Sequence, residues 1–362
     1  MGRETGSDQV RSRFPGYFVQ SGHHVKLIDD LRRLRCPVNQ EEFERTVFCI
    51  VKPDGVASGL LLDISDWWSG KGFQIDHVLP IWRPQERNFE ELYKFNLTLR
   101  NSQNQLGSWW MNRKVYTMGP SIGLLLSREG QAGAELYEAV AELKGASDPF
   151  VGRPGELRFD LGAPNATMNL FHCADDPISS VREYLIFAGV SGLRNLSMTL
   201  GKHRDSNESR NKLSAIQGAL PRVHDLDTSH VLTRIVLNAF LIAGVEAEAA
   251  GTMRALLAER LPDAASRMQR LLGLRSELAR TADANHARLE SVGSGFYEAL
   301  KTTLLFPNVK DDEVDKALET LAGYGVVMSE WDRMNLVSTA HYHWHSSAQL
   351  PTAASDQVAA QE

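Results

Sequence analysis

Two short stretches of the chain carry residue types suited to moving a phosphoryl group. One is Asn169-Leu170-Phe171-His172, with Glu183 eleven residues further on. Neutral imidazole attacks phosphorus well, and a carboxylate about two turns into the following helix can return to the ring and fix its tautomer. The other is Lys52-Pro53-Asp54-Gly55, where an ammonium at a strand exit could neutralise phosphate oxygens. Taken alone, each has a plain structural reading as well. Lys-Pro-Asp-Gly is an ordinary turn signal, and a histidine at a strand exit is often a core or surface side chain.

The elements that must position these residues follow from apolar patterning. Thr46-Val47-Phe48-Cys49-Ile50-Val51 is a buried strand ending at the Lys-Pro-Asp-Gly turn. Leu60, Leu61, Ile64, Trp67 and Trp68 recur at helical spacing until Gly70-Lys71-Gly72. Phe73 to Trp82 predicts a second strand, Glu86 to Tyr93 a helix, and Ser121 to Leu126 a third strand. Ala134 to Lys144 predicts a helix closed by Gly145. Met168 to Phe171 predicts a last strand, with Asn169 and Phe171 on one face and Leu170 and His172 on the other. Asp176-Pro177 then caps the helix that would carry Glu183. Strands alternating with helices give an α/β layer arrangement.

The combined motifs resemble the nucleoside diphosphate kinase family. Glu44-Arg45-Thr46, Lys52-Pro53-Asp54-Gly55-Val56, Gly59-Leu60, Gly119-Pro120, Arg153-Pro154-Gly155, Arg158 and Asn169-x-x-His172 stand in the family's order and near its spacing. The resemblance runs from Glu44 to about Phe187 and implies an α+β domain with a ferredoxin-like β-α-β-β-α-β core. It also implies ping-pong transfer of the γ-phosphate of a nucleoside triphosphate, through a phosphohistidine, to a nucleoside diphosphate or a specialised acceptor. His172 would accept phosphate, Glu183 would orient it, and Lys52 and Arg158 would hold phosphate oxygens. Tyr93 would sit near the histidine, Ser147 would replace a phosphate-binding threonine, and Asn169 would bind the sugar hydroxyl. Mg²⁺ would arrive with the nucleotide, and a homo-oligomer is expected.

Several positions depart from the family pattern. Cys173-Ala174-Asp175-Asp176 stands where the family has Gly-Ser-Asp-Ser, and the helix ending at Lys144 lacks the family's arginine. The base-stacking hairpin is rewritten around Ser108-Trp109-Trp110, where Trp109 or Trp110 could stack a base or be core. The rival reading is therefore a catalytically silent kinase-like domain serving as a nucleotide-binding or assembly scaffold.

The rest of the chain bounds these readings. With 362 residues, two domains are the natural prior. A net charge of −6 argues against a dedicated nucleic-acid binder. Three scattered cysteines form no disulfide framework or metal site. The N-terminus lacks an apolar signal core and the longest apolar run falls short of the ~20 residues of a membrane span, so no membrane partner and a cytoplasmic location are expected. The expected organisation is an arm over 1–43, the kinase-like domain over 44–190, a linker over 191–220, a mainly helical domain over 221–350 and a disordered tail over 351–362. In the helical part, Asp312 to Tyr324 is an amphipathic helix. Gly325-Val326-Val327 and Leu336-Val337-Ser338 could be strands of a winged-helix-like unit. His341-Tyr342-His343-Trp344-His345 alternates as a strand would, either a polar edge or three imidazoles on one metal-binding face.

Overall fold

The computed structural model describes residues 43–93, 109–199, 206–220, 225–245, 264–305 and 309–347. Of the arm expected over 1–43 only Phe43 is described, and the tail over 351–362 and the side chain of His345 lie outside the described residues. The chain divides into two compact units. The first comprises residues up to Gly145, then Gly155–Leu161 and Leu170–Val223; the second comprises Ala146–Pro154, Gly162–Asn169 and His224 onward.

The first unit is built on four antiparallel strands, β1 (Val47–Val51), β2 (Phe73–Ile81), β3 (Ser121–Arg128) and β4 (Phe171–Cys173), in the order β2-β3-β1-β4. That order, with helices between β1 and β2 and between β3 and β4, is the ferredoxin-like arrangement. Every residue of β1 is buried, which accounts for its uninterrupted apolar run. The helices are α1 (Pro53–Ala57), α2 (Leu61–Gly70), α3 (Glu86–Leu92), α4 (Trp109–Thr117), α5 (Gly133–Lys144), α6 (Leu157–Asp160), α7 (Pro177–Thr199) and α8 (Ser206–Ala219). Phe48, Ile50, Phe89, Tyr116, Leu125 and Tyr184 form the core on one face of the sheet. Gly189, at φ 65°, breaks α7; within the stretch 191–220 its second part runs to Thr199, and α8 then packs on α2 and β2. There Lys212 Nζ donates to Val78 O at 2.8 Å, and Arg210 holds both oxygens of Asp66.

Two local expectations change. Lys-Pro-Asp-Gly is not a free turn: Lys52 is the N-cap of α1, with Pro53 in its first turn, where a missing N–H costs nothing. The last strand is Phe171–Cys173, not Met168–Phe171. Leu170 sits at φ 67° and its N–H is taken by Asp54 Oδ2 at 2.7 Å, so regular extended pairing begins only after it. Asn169 and Leu170 therefore lie before the strand, and the alternation of faces applies to Phe171, His172 and Cys173 alone.

The second unit is helical among the described residues: α9 (Thr228–Ala243), α10 (Ala264–Ala284), α11 (His286–Val292), α12 (Phe296–Leu305), α13 (Asp311–Gly323) and α14 (Glu330–Ser347), with a single 3₁₀ turn at Pro149–Val151. Val314, Ala317, Leu318 and Leu321 bury the apolar face of α13, as its spacing predicts. Gly325-Val326-Val327 forms no strand, and Leu336-Val337-Ser338 and the histidine stretch lie in one helix over 330–347, so the strands considered for this part are absent among the described residues. Ser329 N donates to Asp332 Oδ2 at 2.9 Å and Asp332 N to Ser329 Oγ at 3.0 Å, a reciprocal cap that starts the helix. Alternate residues on a helix diverge by roughly 200°, so His341 and His343 point to different sides of it. His341 instead meets Asp311 at 3.1 Å. No helix among the described residues is long and apolar enough to cross a membrane.

Candidate active site

His172 is the central residue of β4, paired in register with Ile50 of β1. Strand alternation sends its ring to the face opposite Phe171 and Cys173. Its Nε2 lies 2.9 Å from Glu183 Oε2, with the imidazole side chain 18% exposed and the carboxylate side chain 8% exposed. An ionised carboxylate only accepts hydrogen bonds, so in the neutral imidazole Nε2 is the nitrogen that carries the hydrogen and Nδ1 the one with the lone pair. The Tyr93 ring stands edge-on to the imidazole with centroids 5.6 Å apart.

Glu183 reaches this position because the start of α7 is fixed at several points. Asp176 accepts from Ser179 N at 2.9 Å and Ser179 Oγ at 2.8 Å. Ser180 Oγ accepts from the Phe48 amide at 3.0 Å and lies 2.7 Å from the Tyr137 hydroxyl. One turn on, Arg182 donates to the carbonyls of Glu91 and Leu92. These carbonyls belong to the last turn of α3, and Tyr93 is that helix's C-cap. A single helix thus braces both the histidine and the tyrosine beside it.

Two cations sit deep in this unit. Lys52 is 2% exposed, and its Nζ lies 5.5 Å from the Tyr116 ring centroid. Burial pushes its pKa down to about 8; Asp54 opposes the shift and the Arg158 charge adds to it. The Tyr116 and Tyr93 hydroxyls are 3.1 Å apart, and burial raises both phenols above their ordinary values. Arg158 gives one terminal nitrogen to Gly145 O at 3.1 Å and the other to Phe171 O at 2.6 Å. Its guanidinium is lowered mainly by burial.

Asp54 was missed as a working residue, although the sequence placed it in a recognised motif. It is 0% exposed and holds the Leu170 amide, while Lys52 N donates to Leu170 O at 2.9 Å. At Gly55 a Cβ would stand 2.9 Å from Leu170 O and 3.0 Å from Val51 Cγ1. Lys-Pro-Asp-Gly is thus the socket for the residue that leads into β4. Tyr116 had no sequence signal, since only the fold brings it to Lys52.

The remaining expected residues fall elsewhere. Ser147 and Asn169 belong to segments of the second unit, where Asn169 Nδ2 donates to Ala166 O at 2.9 Å and Ser147 O at 3.4 Å. Trp109 opens α4, but its side chain lies outside the described residues; Trp110 is 50% exposed. Lys144, the cation nearest in sequence to the missing arginine, donates to Cys173 Sγ at 3.0 Å. No group of three or more His, Cys, Asp or Glu side chains among the described residues is arranged to hold a metal ion.

The family model for nucleoside diphosphate kinase matches residues 44–190. A nucleoside diphosphate kinase from Parafrankia sp. (strain EAN1pec) is 34% identical over 41% of this chain and 98% of its own length. Nucleoside diphosphate kinase 3 from Spinacia oleracea is 32% identical over 38% of this chain and 79% of its own. Among solved structures, a halophilic nucleoside diphosphate kinase from Halobacterium salinarum in complex with CDP is 25% identical, covering 46% of this chain and 98% of that one, with a TM-score of 0.36.

Proposed function

The chain belongs to the nucleoside diphosphate kinase family, and from that premise we propose that it moves the γ-phosphate of a nucleoside triphosphate through phosphorylated His172 to a second acceptor. Residues 44–190 are proposed as the domain that carries the transfer. The observation that supports this most directly is the His172–Glu183 pair, 2.9 Å apart, which leaves the Nδ1 lone pair as the nucleophile.

In the first half-reaction Nδ1 attacks the γ-phosphorus, the bond to the β,γ-bridging oxygen breaks, and the diphosphate leaves with that electron pair. The imidazole gains positive charge as the N–P bond forms, and Glu183 beside Nε2 stabilises it. In the second half-reaction an acceptor oxygen takes the phosphoryl group and the N–P bond breaks, restoring neutral His172. Protonated Lys52 and Arg158 supply charge toward the phosphate oxygens, while Arg158 also fixes the Phe171 carbonyl next to His172. Ser147 and Asn169 are assigned to phosphate and sugar. The donor set of Lys52 and Arg158 suits phosphate oxygens, so Mg²⁺ enters as part of the nucleotide substrate and no protein ligand is assigned to it. A homo-oligomer forms part of this reading, on the family resemblance.

One observation favours the rival reading, a domain that binds nucleotide without transferring phosphate. Lys144 is directed at Cys173, on the opposite side of β4 from His172, so it does not replace the missing arginine. Incubation with γ-labelled ATP and Mg²⁺, beside His172→Ala, separates the two. Acid-labile, alkali-stable label on the unmodified chain alone is the expected result. Nucleotide binding without label would favour the scaffold.

A further inference from the structure

The turn that carries Asn169 is held by a helix that lies beyond the family-matched stretch. Asn165 is 1% exposed and uses both ends of its amide. Its Oδ1 accepts from Thr167 N at 3.0 Å and Met168 N at 2.9 Å. Its Nδ2 donates to Ser338 Oγ and Thr339 Oγ1 of α14, each at 2.9 Å. Two residues on, Thr167 Oγ1 donates to the Tyr342 hydroxyl at 3.1 Å. Tyr342 stands four residues after Ser338 and three after Thr339, so it lies on the same side of the helix as both. The turn also sets the Asn169 side chain, whose Nδ2 donates to Ala166 O at 2.9 Å. All of these residues belong to the second unit.

We propose that Asn165 is a positioning residue for the nucleotide's sugar, through which α14 sets the orientation of Asn169. This rests on the reading above that Asn169 binds the sugar hydroxyl. Without Asn165 the two amides and the two α14 hydroxyls lose a shared partner inside a buried turn, and Asn169 loses its fixed backbone. The helical unit therefore tunes nucleotide affinity through one amide side chain, and a change in the packing of α14 changes sugar recognition.

The test compares ADP with 2′,3′-dideoxy-ADP by calorimetry on the full chain, for the unmodified protein, Asn165→Ala, Asn169→Ala and the double variant. The unmodified chain is expected to prefer ADP. Asn165→Ala should lose on the order of fivefold to tenfold in ADP affinity, as a hydrogen bond or two is worth, with little change for the dideoxy nucleotide. The loss should vanish in the Asn169→Ala background, the sign of coupling between neighbours. Equal weakening of both nucleotides, or additive losses, would overturn the positioning role and leave Asn169's role intact. An unmodified chain that binds the two nucleotides equally would instead overturn the assignment of Asn169, and this proposal with it. If Asn165→Ala does not fold, Tyr342→Phe and Thr339→Val carry the same comparison, with losses of about twofold to threefold. The phosphorylation assay is independent, since sugar discrimination is read from binding alone.

Discussion

At the scale of single residues, protonation states carry the proposed chemistry. Glu183 matters because its carboxylate accepts from Nε2 and leaves Nδ1 open, so Glu183→Gln should slow labelling of His172 without unfolding the protein. The charged hydrogen bond lost is worth about 1.5–3 kcal/mol, roughly a tenfold to hundredfold drop in rate. Single-turnover labelling with ATP would check this; an unchanged rate would remove Glu183 from the mechanism. Lys52 makes the second prediction. Its pKa is pushed down to about 8, so it is a cation below that pH and neutral above it. Affinity for a nucleoside triphosphate should therefore fall as pH rises through about 8, and Lys52→Gln should bind weakly with that alkaline limb gone. Binding measured from pH 6.5 to 9.5 would show whether the limb belongs to Lys52.

At the scale of elements, the approach to β4 is the feature to perturb. Leu170 at φ 67° is held in an uncommon backbone conformation by the Asp54 carboxylate and by the close approach that Gly55 permits. Gly55→Ala would push a methyl carbon to within 2.9 Å of Leu170 O, against backbone rather than a flexible side chain. Asp54→Ala would leave the buried Leu170 amide unsatisfied, costing about 1–3 kcal/mol. Both should lower the midpoint of thermal unfolding, and both should slow His172 labelling more than stability alone explains, because β4 starts at the next residue. Full activity in a well-folded Gly55→Ala variant would mean that the socket is not needed to place His172.

At the scale of the whole molecule, the family-matched stretch does not coincide with one structural unit. Ser147 and Asn169 belong to the helical unit, while Lys52, Tyr93, Arg158, His172 and Glu183 belong to the unit built on the sheet. Leu318→Ala, which truncates a fully buried side chain of α13, should destabilise the helical unit by about 2–5 kcal/mol. Nucleotide binding should weaken with it, while labelling by phosphoramidate, a donor without sugar or base, should persist; parallel loss of both would contradict this division of labour. The sequence alone determined the alternation of strands and helices, the burial of β1, the capped helix of Glu183 and the candidate histidine, because apolar period, caps and motif spacing are local; the α+β class came with the family resemblance. It misread His341–His345, since the local alternation imitates a strand; the Ser329–Asp332 cap was the overlooked helix signal. It began β4 too early, because the Leu170 conformation depends on Asp54, distant in the chain. Which groups meet Lys52, where Lys144 points, and that Asn165 joins the Asn169 turn to α14 were decided only by tertiary structure. Those contacts join residues far apart in sequence, and no local pattern encodes which partner a buried polar group will find.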